Sequence, residues 1–252
     1  VAAPGRLLDL MRQGFVSLRQ IEVFVLDEAD RMLDMGFIAP IRQVASKIPS
    51  QRQTLMFSAT MPGEIRSLAE QLMSNPVRLA VTPVASPPPR IEQKVYFVDS
   101  GSKVSLLVRM LSQPSATRTL IFTRTKHGAN RLAEKLRRER IEVAVIHGNK
   151  SQNARQQALA AFRDGRMSVL VATDVAARGI DVDNISHVVN FDIPQESESY
   201  VHRIGRTGRA GAEGSAVSFC SPEERGRLRD IERLIQQRLT IVNASSVAGR
   251  AA

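Results

Sequence analysis

Three carboxylates fall within four positions at Asp27, Glu28 and Asp30, directly after the apolar run Val23-Phe24-Val25-Leu26. Such a run predicts a buried strand, and acids delivered to the carboxyl end of a strand suit a phosphate-transfer site. A magnesium ion takes oxygen ligands and usually keeps several waters, so Asp27 can hold it through them. Glu28 is then placed to position and deprotonate an attacking water. The same residues also suit a surface turn that caps the next helix. The strand before them favours the chemical reading.

Ser58-Ala59-Thr60 follows a second predicted strand, 54–57. Adjacent parallel strands present their carboxyl ends together, which puts these hydroxyls within reach of Asp30; an ordinary strand end with a helix cap is the other reading. Far along the chain, Arg203, Arg206 and Arg209 recur at intervals of three beside His202, interleaved with Gly205, Gly208 and Gly211. That spacing predicts guanidiniums projecting in one direction, with glycines admitting a phosphate chain. Guanidinium is always charged and bonds phosphate oxygens bidentately. Placed on a transferred phosphate it is worth ~10³–10⁵ in rate. In the loop from Ala172 to Asp181, Thr173 can donate to a phosphate and Asp181 can accept from a ribose hydroxyl. An ordinary strand-to-helix loop remains the alternative there.

These groups need a scaffold. Beyond residue 92, predicted strands at 94–98, 119–123, 142–146, 168–172, 186–191 and 214–219 alternate with helical patterns. Ala129, Leu132, Ala133 and Leu136 repeat at three and four residues, as do Ala154, Ala158, Leu159 and Phe162. Strict alternation predicts a parallel sheet covered on both faces. A last helix is signalled by Ser221 as N-cap, Pro222 at its first position and Glu224 closing a capping box. Its apolar stripe is Leu228, Ile231, Leu234 and Ile235. Upstream, strands at 23–26, 54–57 and 77–81 with helices between them make half of an α/β domain. Pro83, Pro87, Pro88 and Pro89 make a stiff connector. The expected fold is α/β with two parallel-sheet lobes and flanking helices, the first lobe partial and the second complete. Its divisions are 1–82, a linker at 83–92, a second lobe at 93–242 and a fraying tail at 243–252.

A formal net charge of +10 favours a polyanionic partner over a merely basic surface. The single cysteine, Cys220, excludes an intramolecular disulfide and a cysteine zinc site, and its apolar run predicts a packed core thiol. No stretch approaches the ~18 apolar residues of a membrane helix and no secretory signal is visible, so a cytoplasmic protein is expected. The chain begins at Val1, which predicts a fragment.

Taken in order, these motifs resemble the DEAD-box ATP-dependent RNA helicases of bacterial type, from Ala3 to about Phe219. The resemblance implies two RecA-like lobes that clamp ATP and Mg²⁺ between them and grip single-stranded RNA across both. It makes Pro4, Gly5 and Arg6 a first-lobe RNA contact, with Ala3 where the family usually has threonine. Asp27-Glu28-Ala29-Asp30 is the name motif, and Ser58 and Thr60, with Asp30 and His202, would couple hydrolysis to unwinding. Thr123, Arg124, Gly148, Gln152, Arg155 and Thr173 would contact RNA from the second lobe; Asn149 stands where an acid is common. Gly179 and Asp181 would face the nucleotide, and Arg206 and Arg209 its terminal phosphate. RNA contact is expected through phosphates and 2′-hydroxyls, independent of sequence.

No Gly-x-x-x-x-Gly-Lys-Ser/Thr occurs in the 252 residues, and the family's adenine-reading glutamine motif is also missing. The chain therefore reads as the carboxyl-terminal part of a longer helicase, and alone it is expected to bind RNA without hydrolysing ATP. Two other readings stay open. One is a non-catalytic RNA-binding module. The other is a DNA-translocating relative sharing the arginine motif, against which the pairing of Pro4-Gly5-Arg6 with the acidic motif speaks.

Overall fold

The computed structural model describes residues 1–34, 36–80, 91–177, 182–209 and 212–243. The chain divides into two compact units, 1–85 and 86–252. Residues 83–90 of the expected linker, the tail from 244, Val81, Gly179, Asp181 and Gly211 lie outside the described residues.

In the first unit, α1 (Pro4–Arg12) precedes β1 (Val23–Leu26), α2 (Ala29–Asp34), α3 (Ile38–Ala45), β2 (Gln53–Met56) and α4 (Gly63–Leu72). The two strands pair in parallel. Side chains alternate across a strand, so Phe24 and Leu26 turn into apolar clusters with Ile41, Val44 and Leu68 of the helices. Val23 and Val25 turn the other way and are 50% and 49% exposed, beside Phe57 at 55%. The fully buried strand expected at 23–26 is thus covered on one face. No strand forms over residues 77–80, where Val77 and Leu79 are exposed.

The second unit holds β3 (Ile91–Phe97), β4 (Thr119–Phe122), β5 (Val143–Ile146), β6 (Val169–Ala172), β7 (His187–Asn190), β8 (Gly214–Cys220) and β9 (Thr240–Ile241). They form one sheet in the order β5-β6-β4-β7-β8-β3-β9, every pair parallel. The helices are α5 (Lys103–Leu111), α6 (Lys126–Arg138), α7 (Gln152–Arg163), α8 (Asp174–Ala177), α9 (Ser197–Ile204) and α10 (Arg225–Leu234). Ile121, Val145 and Val171 point into one layer with Leu132 and Leu136 of α6. Leu120, Phe122, Ala144 and Leu170 point into the opposite layer with Phe162 of α7. Burial on both faces is why these strands read as continuous apolar runs. The architecture is a RecA-like α/β arrangement of parallel sheets and flanking helices.

Three details differ from expectation. Ile91 and Glu92, expected in the linker, open β3. The last helix starts after a 3₁₀ turn, Pro222–Glu224, although the Ser221–Glu224 capping box forms. The two-residue β9 carries no alternating pattern to announce it and extends the sheet beyond β3. Cys220 is buried as expected, and burial beside Glu224 pushes its thiol up to about 11.

Candidate active site and nucleic-acid surface

In the first unit, β1 ends in a tight turn. Glu28 has φ 52, in the left-handed region, a conformation that costs a non-glycine residue on the order of 1 kcal/mol or more. Its amide donates to Asp27 Oδ1 at 2.9 Å, and its Oε2 accepts from Arg31 Nη1 at 2.6 Å. Both acids remain exposed. Asp27 keeps a carboxylate oxygen for water, which fits an outer-sphere magnesium held by few protein ligands. Among the described residues no cluster of three metal-binding side chains exists. Arg31 was not anticipated; its three-residue spacing from Glu28 on a helix start was the available signal.

The same turn is tied to the end of β2. The Ala29 amide donates to Phe57 O at 3.0 Å and the Asp30 amide to Ser58 Oγ at 3.1 Å. Asp30 Oδ2 accepts from both the amide and the hydroxyl of Thr60, each at 2.7 Å, while Ser58 Oγ donates to Thr60 O at 2.7 Å. Asp30 and Thr60 are each 2% exposed. The structure therefore brings Asp30, Ser58 and Thr60 into one network. Thr60→Val removes the hydroxyl and leaves a buried carboxylate one donor short, a loss of about 1.5–3 kcal/mol for a hydrogen bond to a charged group. Thermal melting of the first unit should record it, and an unchanged transition would remove Asp30–Thr60 from the network. On α1, Arg6 pairs with Asp9 at 2.5 Å, beside Pro4 at the helix start and exposed Gly5.

In the second unit the candidate residues gather at the carboxyl ends of neighbouring strands. From β4 the chain winds out to β5, returns through β6, then crosses to β7 on the other side of β4. Reversal of winding opens a crevice at the carboxyl ends there. Arg203 fills it. Its Nε and Nη2 donate to Asp174 at 2.6 and 2.7 Å, and its Nη1 donates to Asn190 Oδ1 at 3.0 Å and Asp192 O at 2.8 Å. Its guanidinium lies 5.0 Å from the Phe122 ring centroid. Interval-of-three spacing had grouped Arg203 with Arg206 and Arg209, but it is 2% exposed and serves to fix α9 against α8.

Arg206 is itself largely buried, and Arg209 is half-buried with Nε donating to Gly205 O at 2.8 Å. Gly208 between them has φ +68, a conformation in which a β-carbon is strained. His202 is half-buried on α9, and Thr173 half-buried at the end of β6.

After β5, His147 is buried. Asn130 Oδ1 takes Nε2 at 3.0 Å and the Asn149 amide donates to Nδ1 at 3.2 Å, so the ring is neutral. Burial, then Lys150, Lys126 and His127, hold its pKa below the ordinary histidine value. The exposed loop that follows carries Gly148, and Arg155 Nη1 donates to Gln152 Oε1 at 3.3 Å. Two further expected RNA contacts have partners within the protein. Thr123 is 1% exposed, with its hydroxyl donating to Thr125 O at 3.3 Å. Arg124 Nη2 donates to the buried Glu224 at 2.7 Å. Glu224 also takes Lys103 at 2.6 Å, a role beyond the helix cap that its sequence position implies.

A family model for the DEAD/DEAH box helicase matches residues 1–68, and one for the helicase conserved C-terminal domain matches 102–211. A DEAD-box ATP-dependent RNA helicase CshA from Geobacillus kaustophilus is 45% identical over 239 residues, covering 95% of this chain and 51% of that protein. Among solved structures, S. cerevisiae Dbp5 bound to RNA and ADP BeF3 matches with a TM-score of 0.90 at 34% identity, over 98% of this chain and 66% of that one. The E. coli DEAD-box protein SrmB, bound to regulator of ribonuclease activity A, matches at 39% identity with a TM-score of 0.61. That match covers 66% of this chain and 99% of that one. Fold and motifs together define a RecA-like helicase. The chain belongs to the DEAD-box ATP-dependent RNA helicase family. It spans about half the length of the curated relatives it matches.

Proposed function

We propose that this chain serves an ATP-dependent RNA helicase, coupling ATP binding and hydrolysis to local opening of short RNA duplexes. Asp27 would hold Mg²⁺ through water, and Glu28 would take the proton of the attacking water. Mg²⁺, when bound, neutralises charge on the phosphates. Arg206 and Arg209 stabilise the terminal phosphate, with Gly179 and Asp181 on the nucleotide. Asp30, Ser58, Thr60 and His202 transmit the state of the nucleotide. Pro4, Gly5, Arg6, Gly148, Gln152, Arg155 and Thr173 touch RNA backbone, with Thr123 and Arg124 beside them. The observation that carries the reading is the buried Asp30–Thr60 pair, which ties the acidic turn to the Ser-Ala-Thr strand end. A change at Glu28 thereby reaches the neighbouring loop. No helix among the described residues is long and apolar enough to cross a membrane.

The 252 residues carry no phosphate-binding loop motif, so by themselves they bind RNA and do not turn over ATP. The expected result with the purified chain is salt-sensitive binding of poly-uridylate, preferred over single-stranded DNA, with no RNA-stimulated phosphate release. Affinity should fall with salt by a slope near ~0.7 per phosphate contact. Preference for DNA would sink the helicase reading, and robust turnover by the chain alone would sink its division of labour.

A further inference from the structure

A second surface lies at the opposite edge of the large sheet from the His147–Gly148 loop. Six inter-strand steps separate β5 from β9, roughly 29 Å at ~4.8 Å each. Here α10, β9 and the end of β3 border an open cleft of about 770 Å³. Its floor is apolar: Phe97, Leu228, Leu239 and Ile241 line it, and Phe97 and Ile241 are 38% and 66% exposed.

The rim is basic. Arg225, Arg229 and Arg238 border the cleft with Glu232 as the lone acid. Both oxygens of Glu232 are engaged, Oε2 by Arg238 at 3.4 Å and Oε1 by the Leu239 amide at 3.0 Å. Arg225 and Arg229 have no acidic partner among the described residues. The rim therefore presents net positive charge above an apolar floor.

The cleft also borders a strand edge that no other described residue pairs. Among the described residues β9 bonds only β3, and Val242 N–H donates to Val95 O at 2.9 Å. Successive strand residues turn their backbone groups to opposite sides, so the N–H and C=O of Ile241 point outward. An exposed edge of this kind is a template for an added extended segment.

We propose that this cleft docks a short extended segment of a partner protein, acidic in charge and carrying an apolar anchor. The anchor enters between Phe97 and Leu228, the acids meet Arg225 and Arg229, and the backbone pairs with Ile241. Nucleic acid fits less well. The Phe97 ring that would stack a base is covered by the Arg225 guanidinium at 5.2 Å. The chain's own residues 244–252 are no better suited, since their one charged side chain is Arg250.

The test is selection of random phage-displayed decapeptides on the immobilised 252-residue chain, with the affinities of the winners measured by fluorescence anisotropy. Winners are expected to carry aspartate or glutamate around leucine, isoleucine or phenylalanine. Arg225→Glu with Arg229→Glu should weaken them at least tenfold while the fold is kept, because both side chains are exposed and only the Arg225–Phe97 contact is lost. Ile241→Pro should weaken them similarly; it removes only an outward N–H, a place where edge strands tolerate proline. Winners without acidic bias, or binding indifferent to both variants, would overturn the proposal. So would a paired-arginine variant that loses oligo-uridylate affinity when no peptide is selected, or one that dissociates a dimer of the chain.

Discussion

In a protein that joins this chain to a phosphate-binding segment, Glu28→Gln is expected to lower RNA-stimulated ATP hydrolysis by about 10²–10⁴. ATP-dependent RNA binding should survive. Glutamine keeps the size of the side chain and an oxygen that can accept from Arg31 Nη1, which sits 2.6 Å from Glu28 Oε2. The left-handed turn is therefore preserved, and so is the Asp27 carboxylate that caps it at 2.9 Å. What is lost is the ability to take a proton from water as the phosphate departs. Single-turnover hydrolysis at saturating RNA separates the two roles. A variant hydrolysing ATP at the wild-type rate would remove Glu28 from catalysis, while one that fails to bind RNA with ATP would make Glu28 a binding residue.

The alternation of strand and helix was legible because every central strand of the second unit is buried on both faces, leaving uninterrupted apolar runs. The same signal misleads at β1. A run of four apolar residues predicts burial on both sides, yet Val23 and Val25 face outward here. Only a covering layer decides that, and composition does not report one. Arg203 illustrates a different limit. Spacing of three fits a shared functional face and a buried structural role equally well. The deciding partners, Asp174 and Asn190, lie 29 and 13 residues away in sequence. The union of Asp30 with Thr60 was readable because two parallel strands bring their carboxyl ends together by rule. β9 was not, since two residues cannot display a period.

Glu224 was legible as a cap and hidden as a hub. Its Oε2 takes Lys103 Nζ at 2.6 Å, the Ser221 hydroxyl at 3.1 Å and the Ser221 amide at 3.2 Å. Its Oε1 takes Arg124 Nη2 at 2.7 Å and the Ile193 amide at 3.2 Å. The Lys103 and Glu224 side chains are 4% and 3% exposed. Glu224→Ala therefore strands an ammonium whose remaining acceptor is Phe191 O at 2.8 Å. Breaking a buried pair from one side costs about 3–5 kcal/mol, so the second unit's melting transition should fall by roughly 6–20 °C. Replacing both partners, Lys103→Met with Glu224→Leu, should recover part of that: the buried ammonium is gone, while Arg124 and the Ser221 and Ile193 amides still lose their acceptor. Burial pushes the Glu224 carboxyl up, but Lys103 and the Ser221 donors pull it further down, leaving it below its ordinary value of 4.5. A depressed carboxyl contributes stability that is complete above its unfolded value and fades as pH falls through the folded one. The gap between wild type and Glu224→Ala should accordingly hold constant at neutral pH and close in acid. An alanine variant melting with the wild type at neutral pH would mean that Lys103 finds another counter-charge, and the hub assignment would fail.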